Sequence, residues 1–235
     1  MIRLLINYLT KSCCFFLIII SVACAQNRDS SFTKNAINKD NQYFHLREMY
    51  APAATIAIAS YSNIEETFIN NEAIKAERDE NMPHFRTHID DYMQYAPLVA
   101  GYGFEIFGAK NNAWLYTKEI LLNEVIMNVS VITVKHFSRV PSIVDGAYNA
   151  FPSGHTAQAF ASATLFSDNF AQHKLWLQCL SYGSASAVGV LRILNGRHWT
   201  SDVVAGAGFG ILSAKLSEWI LVPRYNKKHS SNLNF

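Results

Sequence analysis

AWLYTKEILLNEVIMNVSVITV (residues 113–134) places Leu115, Ile120, Leu121, Val125 and Val129 at steps near 3.6 residues, the period of a helix with one apolar face. Downstream, VVAGAGFGILSAKLSEWIL (residues 203–221) sets Gly206, Gly208 and Gly210 among alanines and valines. Small side chains there permit close helix–helix approach, although each glycine costs roughly 1 kcal/mol of helix propensity against alanine. Breaks at Asn111-Asn112, Pro141 to Pro152, Asp168 to His173 and Asn195-Gly196 cut this region into pieces of helical length. Alternating period-two runs and internal repeats are missing. The expectation is an all-α protein, a bundle of helices.

Composition narrows the function classes. Of 235 residues, 50% are hydrophobic and 16% charged, which excludes a disordered chain. A net charge of +2 excludes the basic excess of a nucleic-acid binder. The run Leu175 to Leu191 is uncharged but holds Gln178, Ser181, Ser184 and Ser186, and Arg192 follows it. Residues 113–134 carry Lys118, Glu119 and Glu124, and residues 203–221 carry Lys215 and Glu218. None is a clean apolar run of about 20 residues, and charge at mid-helix is costly in lipid. All three are therefore expected as buried helices of a water-soluble bundle with peripheral membrane contact, and membrane-spanning helices are the alternative.

The amino terminus reads as an export signal. Arg3 and Lys11 flank an uncharged start, and Ser12 to Ala23 is an apolar run too short for a spanning helix. Ala23-Cys24-Ala25 supplies the small-x-small pattern of a cleavage site, which makes residues 1–25 a signal peptide. A lipidated Cys24, as in a bacterial lipoprotein, is the rival reading; Ser21 stands where such signals usually carry leucine. A retained anchor is the third, because Leu4 to Leu9 extend the apolar stretch. Cleavage removes Cys13, Cys14 and Cys24 and leaves Cys179 alone, so no internal disulfide can form and Cys179 is expected as a packed core residue. Residues 26–85 form a polar, partly helical extension whose run Lys75 to Glu80 reads as a solvated helix face. Residues 86–222 form the core and residues 223–235 a polar tail.

Two clusters carry chemistry. Phe151-Pro152-Ser153-Gly154-His155-Thr156 enters the apolar stretch Ala157 to Phe166. Pro and Gly force a turn from which a helix can start, and the free N–H groups of a helix N-terminus attract anions. Ser153 adds a hydroxyl, Gly154 allows close approach of the backbone, and His155 brings a titratable nitrogen. The second cluster is Arg192-Ile-Leu-Asn-Gly-Arg-His198-Trp-Thr-Ser-Asp202. A helical turn would let Asp202 reach His198, fixing one ring nitrogen and leaving the other as a nucleophile. Arg192 offers a planar fork for phosphate oxygens.

Together, in this order, the clusters resemble the phosphatidic acid phosphatase type 2 superfamily, which includes class A acid phosphatases and vanadium haloperoxidases. Its pattern is Lys-x6-Arg-Pro, Pro-Ser-Gly-His, then Ser-Arg-x5-His-x3-Asp. The second part is complete at Pro152 to His155; the third runs from Arg192 to Asp202 with Leu191 in place of serine. The first part is irregular: after six residues from Lys135, where the arginine should stand, comes Ser142, and the sequence instead offers Arg139 ahead of Pro141. Arg139 either replaces the missing arginine after a local shift or is a solvated cation at a helix end. The stretch Ile89-Asp90-Asp91-Tyr92 to Pro97 is similar to the helix that opens the core in periplasmic members.

The resemblance implies a metal-independent phosphatase of the bacterial periplasm that needs no cofactor. His198 would attack phosphorus to give a phosphohistidine, oriented by Asp202. His155 would protonate the leaving oxygen and then activate water, while Lys135, Arg192, Ser153, Gly154 and Arg139 hold phosphate oxygens. Substrates would be phosphomonoesters or lipid phosphates and diphosphates. A vanadate-dependent haloperoxidase and a catalytically weak phosphate- or headgroup-binding protein are the alternatives. His84 and His88 have metal-ligand spacing with Asp91 beyond, yet no convincing further ligands, and read as a surface pair. Tyr148, Phe151 and Trp199 are candidates for an apolar entrance.

Overall fold

The computed structural model describes residues 47–64, 69–107, 113–171 and 174–231, with side chains up to residue 221. The signal peptide, Cys24, the polar lead-in and the Asn111-Asn112 break lie outside the described residues. Within them the chain is all-α. The helices are α1 (Arg47–Ser62), α2 (Asn71–Asn81), α3 (Ile89–Met93), α4 (Ala96–Phe107), α5 (Ala113–Ser138), α6 (Gly154–Phe170), α7 (Leu175–Leu194) and α8 (Thr200–Ser231). The last helix runs on past residue 222, so the tail expected from residue 223 begins as its continuation.

Helix α6 is the axis of the bundle. Every residue from Thr156 to Asp168 is buried, and α4, α5, α7 and α8 pack around it. Its core neighbours are Tyr182, Val188, Val203 and Ala207, which gather about Phe160. The glycines of α8 explain how the backbones come so close. A Cβ on Gly206 would sit 2.5 Å from the Ser153 carbonyl oxygen, and one on Gly210 would run into the Ala157 carbonyl. One on Gly208 would meet Ile56 of α1 at 2.7 Å. Gly206 and Gly210 therefore seat α8 on α6, and Gly208 seats α1 on the other face of α8. Packing gained on two faces offsets the lost helix propensity.

Helix α5 departs from expectation. Its buried residues are Tyr116, Glu119, Asn123, Met127 and Val131, while Leu121, Val125, Val129 and Ile132 are exposed by 59–64%. The periodicity located a real helix, but its apolar stripe points outward and a polar-containing face points in. The expectation of a buried helix in a water-soluble bundle fails here, because only 17% of the apolar window of α5 is covered by the protein. In α7, Leu175, Trp176 and Leu180 are exposed. Cys179 shares that outer surface and is exposed, not packed in the core as expected. By length and composition α5, α7 and residues Thr200–Leu221 of α8 are three helices able to cross a membrane.

The charged run in α2 is also not wholly solvated. Arg78 is buried and its Nε donates to the Leu194 carbonyl at 3.0 Å, which pins the turn after α7.

Candidate active site

Four helix ends meet at one end of the bundle: the C-termini of α5 and α7 and the N-termini of α6 and α8. The two chemical clusters are stitched together there, because the Ser153 N–H donates to the Asp202 carbonyl at 2.9 Å. Ser138 at the end of α5 donates to the Phe151 carbonyl at 3.1 Å. The Ser153 hydroxyl is fully buried and accepts from Thr156 Oγ1 at 3.0 Å instead of capping α6. The first-turn N–H groups of α6 thus keep their partial positive charge unneutralised by a cap. A Cβ on Gly154 would meet nothing within 4 Å, so the space in front of this N-terminus is open.

His198 and Asp202 form the pair their spacing suggested. His198 Nδ1 lies 3.3 Å from Asp202 Oδ2, and the same oxygen accepts from the Trp199 N–H at 2.9 Å. Asp202 is fully buried and its Oδ1 has no partner. With Nδ1 engaged, Nε2 is the nitrogen left to react. Burial holds the His198 ring below the usual imidazole range; Asp202 opposes this, and the charges of Arg192 and Lys135 reinforce it. These effects together favour the neutral form of the ring.

A second histidine–carboxylate pair joins α6 to α3. His155 Nε2 is 3.0 Å from Asp91 Oδ1, and Asp91 Oδ2 is 3.1 Å from His88 Nδ1. Burial, then Arg192, push the His155 ring below the ordinary range, while Asp91 and Asp90 pull it back up. Asp91 is held below the usual carboxylate range, first by its hydrogen bond from His88.

Arg192 is aimed by a buried carboxylate. Its Nη1 donates to Asp90 Oδ2 at 2.8 Å, and Asn195 Nδ2 donates to Asp90 Oδ1 at 3.1 Å. Asn195 also exchanges hydrogen bonds with the Thr87 backbone, at 2.9 Å to its N–H and 3.0 Å to its carbonyl. The Arg192 Nε is buried without a protein partner, which leaves a donor for a water or an anion. Lys135, in the last turn of α5, donates to the Asn149 carbonyl at 2.6 Å.

Arg139 is not drawn into this cluster. It follows α5 at φ 49° and is exposed. Ser142 is bound up in a turn of its own, with its N–H donating to the Ala147 carbonyl at 2.8 Å and its carbonyl accepting from Gly146. The apolar entrance is not assembled either. Phe151 is buried in a core cluster with Val204 and Ala205, Tyr148 is exposed, and Trp199 Nε1 donates to the Pro141 carbonyl at 2.9 Å. Among the described residues, no group of three or more His, Cys, Asp or Glu is placed to hold a metal ion. Reasoning from the sequence quoted Asp90 and Asp91 in the opening helix but gave them no part in the site, and it gave none to Asn195 or Arg78. The one available signal was the acidic pair Asp90-Asp91 just ahead of an apolar helix.

Residues 83–225 match the PAP2 superfamily. The chain belongs to that superfamily. A "Lipid A 1-phosphatase" of Porphyromonas gingivalis is 38% identical over 159 residues, which cover 66% of this chain and 35% of that protein. The "Bacitracin transport permease protein BcrC" of Bacillus licheniformis is 34% identical over 111 residues, 37% of this chain and 51% of that one. The chain thus spans about a third and about a half of the length of these two relatives. Among solved structures, a transmembrane PAP2-type phosphatidylglycerolphosphate phosphatase from Bacillus subtilis matches with a TM-score of 0.50 and 19% identity, covering 76% of this chain and 97% of that one. That likeness bears on the fold, and it is the helical PAP2 fold that the chain adopts.

Proposed function

We propose that this PAP2 protein is a metal-independent phosphatase of lipid phosphates, acting at the surface of a membrane that α5, α7 and α8 cross. The observation that carries the reading is the convergence of Lys135, the orphaned Arg192 Nε and the uncapped start of α6 on the His198–Asp202 pair. Three sources of positive charge surround one neutral imidazole nitrogen, an arrangement suited to the equatorial oxygens of a phosphoryl group. The relative that acts on lipid A supports a lipid substrate, and so does the outward apolar stripe of α5. The export signal read in residues 1–25 favours the periplasmic face of the bacterial envelope.

In the first step, His198 Nε2 forms a bond to phosphorus as the bond to the leaving oxygen breaks, and His155 gives that oxygen its proton. Asp202 holds the ring and balances the positive charge it acquires. In the second step, His155 takes a proton from water, whose oxygen attacks phosphorus and displaces His198. Inorganic phosphate and an alcohol are released. Asp91 engages His155 Nε2, which leaves Nδ1 as the proton-transferring nitrogen. Asp90 fixes the direction of Arg192. Arg139 is not needed by this arrangement.

Phosphate release from phosphatidate, a polyprenyl diphosphate and p-nitrophenyl phosphate, measured with chelator present, tests the reading. Wild type should release phosphate, and His198→Ala should lose at least about 1,000-fold in kcat while keeping its helix content. A His198→Ala variant that retained most of the activity would overturn the mechanism.

A further inference from the structure

His198 does not sit in a helix. It lies in the turn between the end of α7 at Leu194 and the start of α8 at Thr200. That turn contains Gly196 at φ 64°, a conformation that glycine takes up without strain but also without rigidity. A nucleophile on such a turn is placed only as well as neighbouring elements hold the turn. Helix α2 lies ahead of residues 83–225, the part of the chain that matches the superfamily, and it grips the turn on both sides of His198.

Ahead of His198, Arg78 Nε donates to the Leu194 carbonyl at 3.0 Å. A Cβ on Gly196 would stand 2.9–3.1 Å from Arg78 Nη2, Cζ and Nη1, so the guanidinium plane lies over the glycine. Asp79 accepts from Nη1 and steadies that plane. Beyond His198, Asn71 Oδ1 accepts from the Ser201 N–H at 3.1 Å and its Nδ2 donates to Ser201 Oγ at 2.9 Å. Ser201 is fully buried and donates onward to Asn63 Oδ1 at 2.7 Å. Positions 71 and 78 fall on one face of a helix, and Ile74 between them packs against two core clusters.

The crevice between α2 and the turn has a volume of about 10 Å³, room for about one water and none for a substrate. Neither Asn71 nor Arg78 bonds to Lys135, Arg192 or the start of α6, and Arg192 has its own anchor in Asp90. Any effect of α2 on the reaction therefore runs through His198. Resting on the phosphatase reading, we infer that Asn71 and Arg78 are positioning residues, and that α2 is a splint holding His198 Nε2 in line with the phosphorus it attacks.

Calorimetric dissociation constants for inorganic phosphate and for vanadate, measured on the protein in detergent micelles, test this. Phosphate reports the ground-state site. Vanadate, whose five-coordinate form copies the transition state, binds tightly only where an in-line nucleophile stands ready. Wild type should bind vanadate about 100-fold or more tighter than phosphate. Arg78→Met and Asn71→Ala should each weaken vanadate by about 10- to 100-fold, leave phosphate nearly unchanged, and lower kcat in parallel with vanadate affinity. Dissociation constants do not depend on how much of a preparation is folded, and the two variants remove separate anchors. Glu80→Ala, on the exposed side of α2, should match wild type. Variants that kept the wild-type vanadate preference, or lost both ligands equally, would overturn the splint. His198→Ala should lose the preference; if it kept it, the phosphatase mechanism itself would fall.

Discussion

At the scale of single residues, the two histidines need opposite things from their surroundings. In the proposed mechanism His198 attacks as the neutral ring, a form that burial together with Arg192 and Lys135 favours against Asp202. The same proposal has His155 carry a proton into the reaction, yet burial and Arg192 work against that, leaving Asp91 as the nearest group that favours the charged ring. On that proposal, activity in the free enzyme should be lost as pH rises through the His155 pKa, since a general acid without its proton cannot serve. Asp91→Asn removes a charge that raises this pKa, so the alkaline limb of kcat/KM should move to lower pH. At neutral pH the variant should lose about tenfold or more. A pH profile of the two proteins decides it, because a purely structural loss would lower the curve without displacing that limb. The contrast between the pairs also shows what a sequence can disclose. His198 and Asp202 are four residues apart and helical geometry alone joins them. Asp91 and His155 are 64 residues apart, Asp90 and Arg192 are 102 apart, and only the packing of α3 against α6 and α7 brings each pair together.

At the scale of elements, two glycines separate folding from chemistry. Gly206 is where α8 touches the Ser153 carbonyl, and a methyl group there would lie 2.5 Å from that oxygen. Gly206→Ala should destabilise the protein by about 1–3 kcal/mol, as overpacked sites do. Gly154 opens α6, and a Cβ on it meets nothing within 4 Å. Gly154→Ala should leave the thermal midpoint nearly unchanged, while the methyl enters the space that the proposed function gives to the phosphoryl group and should cost about 100-fold in kcat/KM. Thermal unfolding and kinetics on the same two variants give the comparison. If Gly154→Ala kept full activity, the phosphate would not approach the N-terminus of α6. Helices were legible to this extent: the breaks at Pro141 to Pro152 and Asn195-Gly196 fall where α5, α6, α7 and α8 end or begin. Which face of α5 turns inward was not, because periodicity finds a stripe and is silent about whether water, protein or lipid lies against it. The irregular first part of the family pattern met the same limit. Lys135 sits in the site region, but the loop after α5 folds on itself through Ser142 to Ala147 and leaves Arg139 outside.

For the molecule as a whole, the described outer faces of α5 and α7 carry the apolar groups that a water-soluble bundle would bury. Glu119 and Asn123 are buried against the bundle, and Lys215 is buried between Glu48 and Asp168 at 3.0 and 2.9 Å. Outward stand Leu121, Val125, Val129 and Ile132 of α5 and Leu175, Trp176 and Leu180 of α7. The 26 residues of α5 reach about 39 Å at 1.5 Å each, ample for the roughly 30 Å hydrocarbon layer of a bilayer. Spanning by α5 also puts the catalytic end, where Lys135 ends the apolar run, at the level of lipid headgroups. Val125 stands at the middle of α5 and is 61% exposed, so it reports directly on what surrounds that helix. In water, an exposed substitution there should change stability by no more than about 0.5 kcal/mol. In lipid, a charge at mid-helix costs about 2.5–3.5 kcal/mol on insertion scales. Val125→Lys should therefore reduce the membrane-inserted fraction and the stability of the protein in nanodiscs by about that amount, and Val125→Leu should do neither. Were Val125→Lys silent, and the wild-type protein monodisperse without detergent, α5 would face water and the charged interior would have to be explained by folding alone.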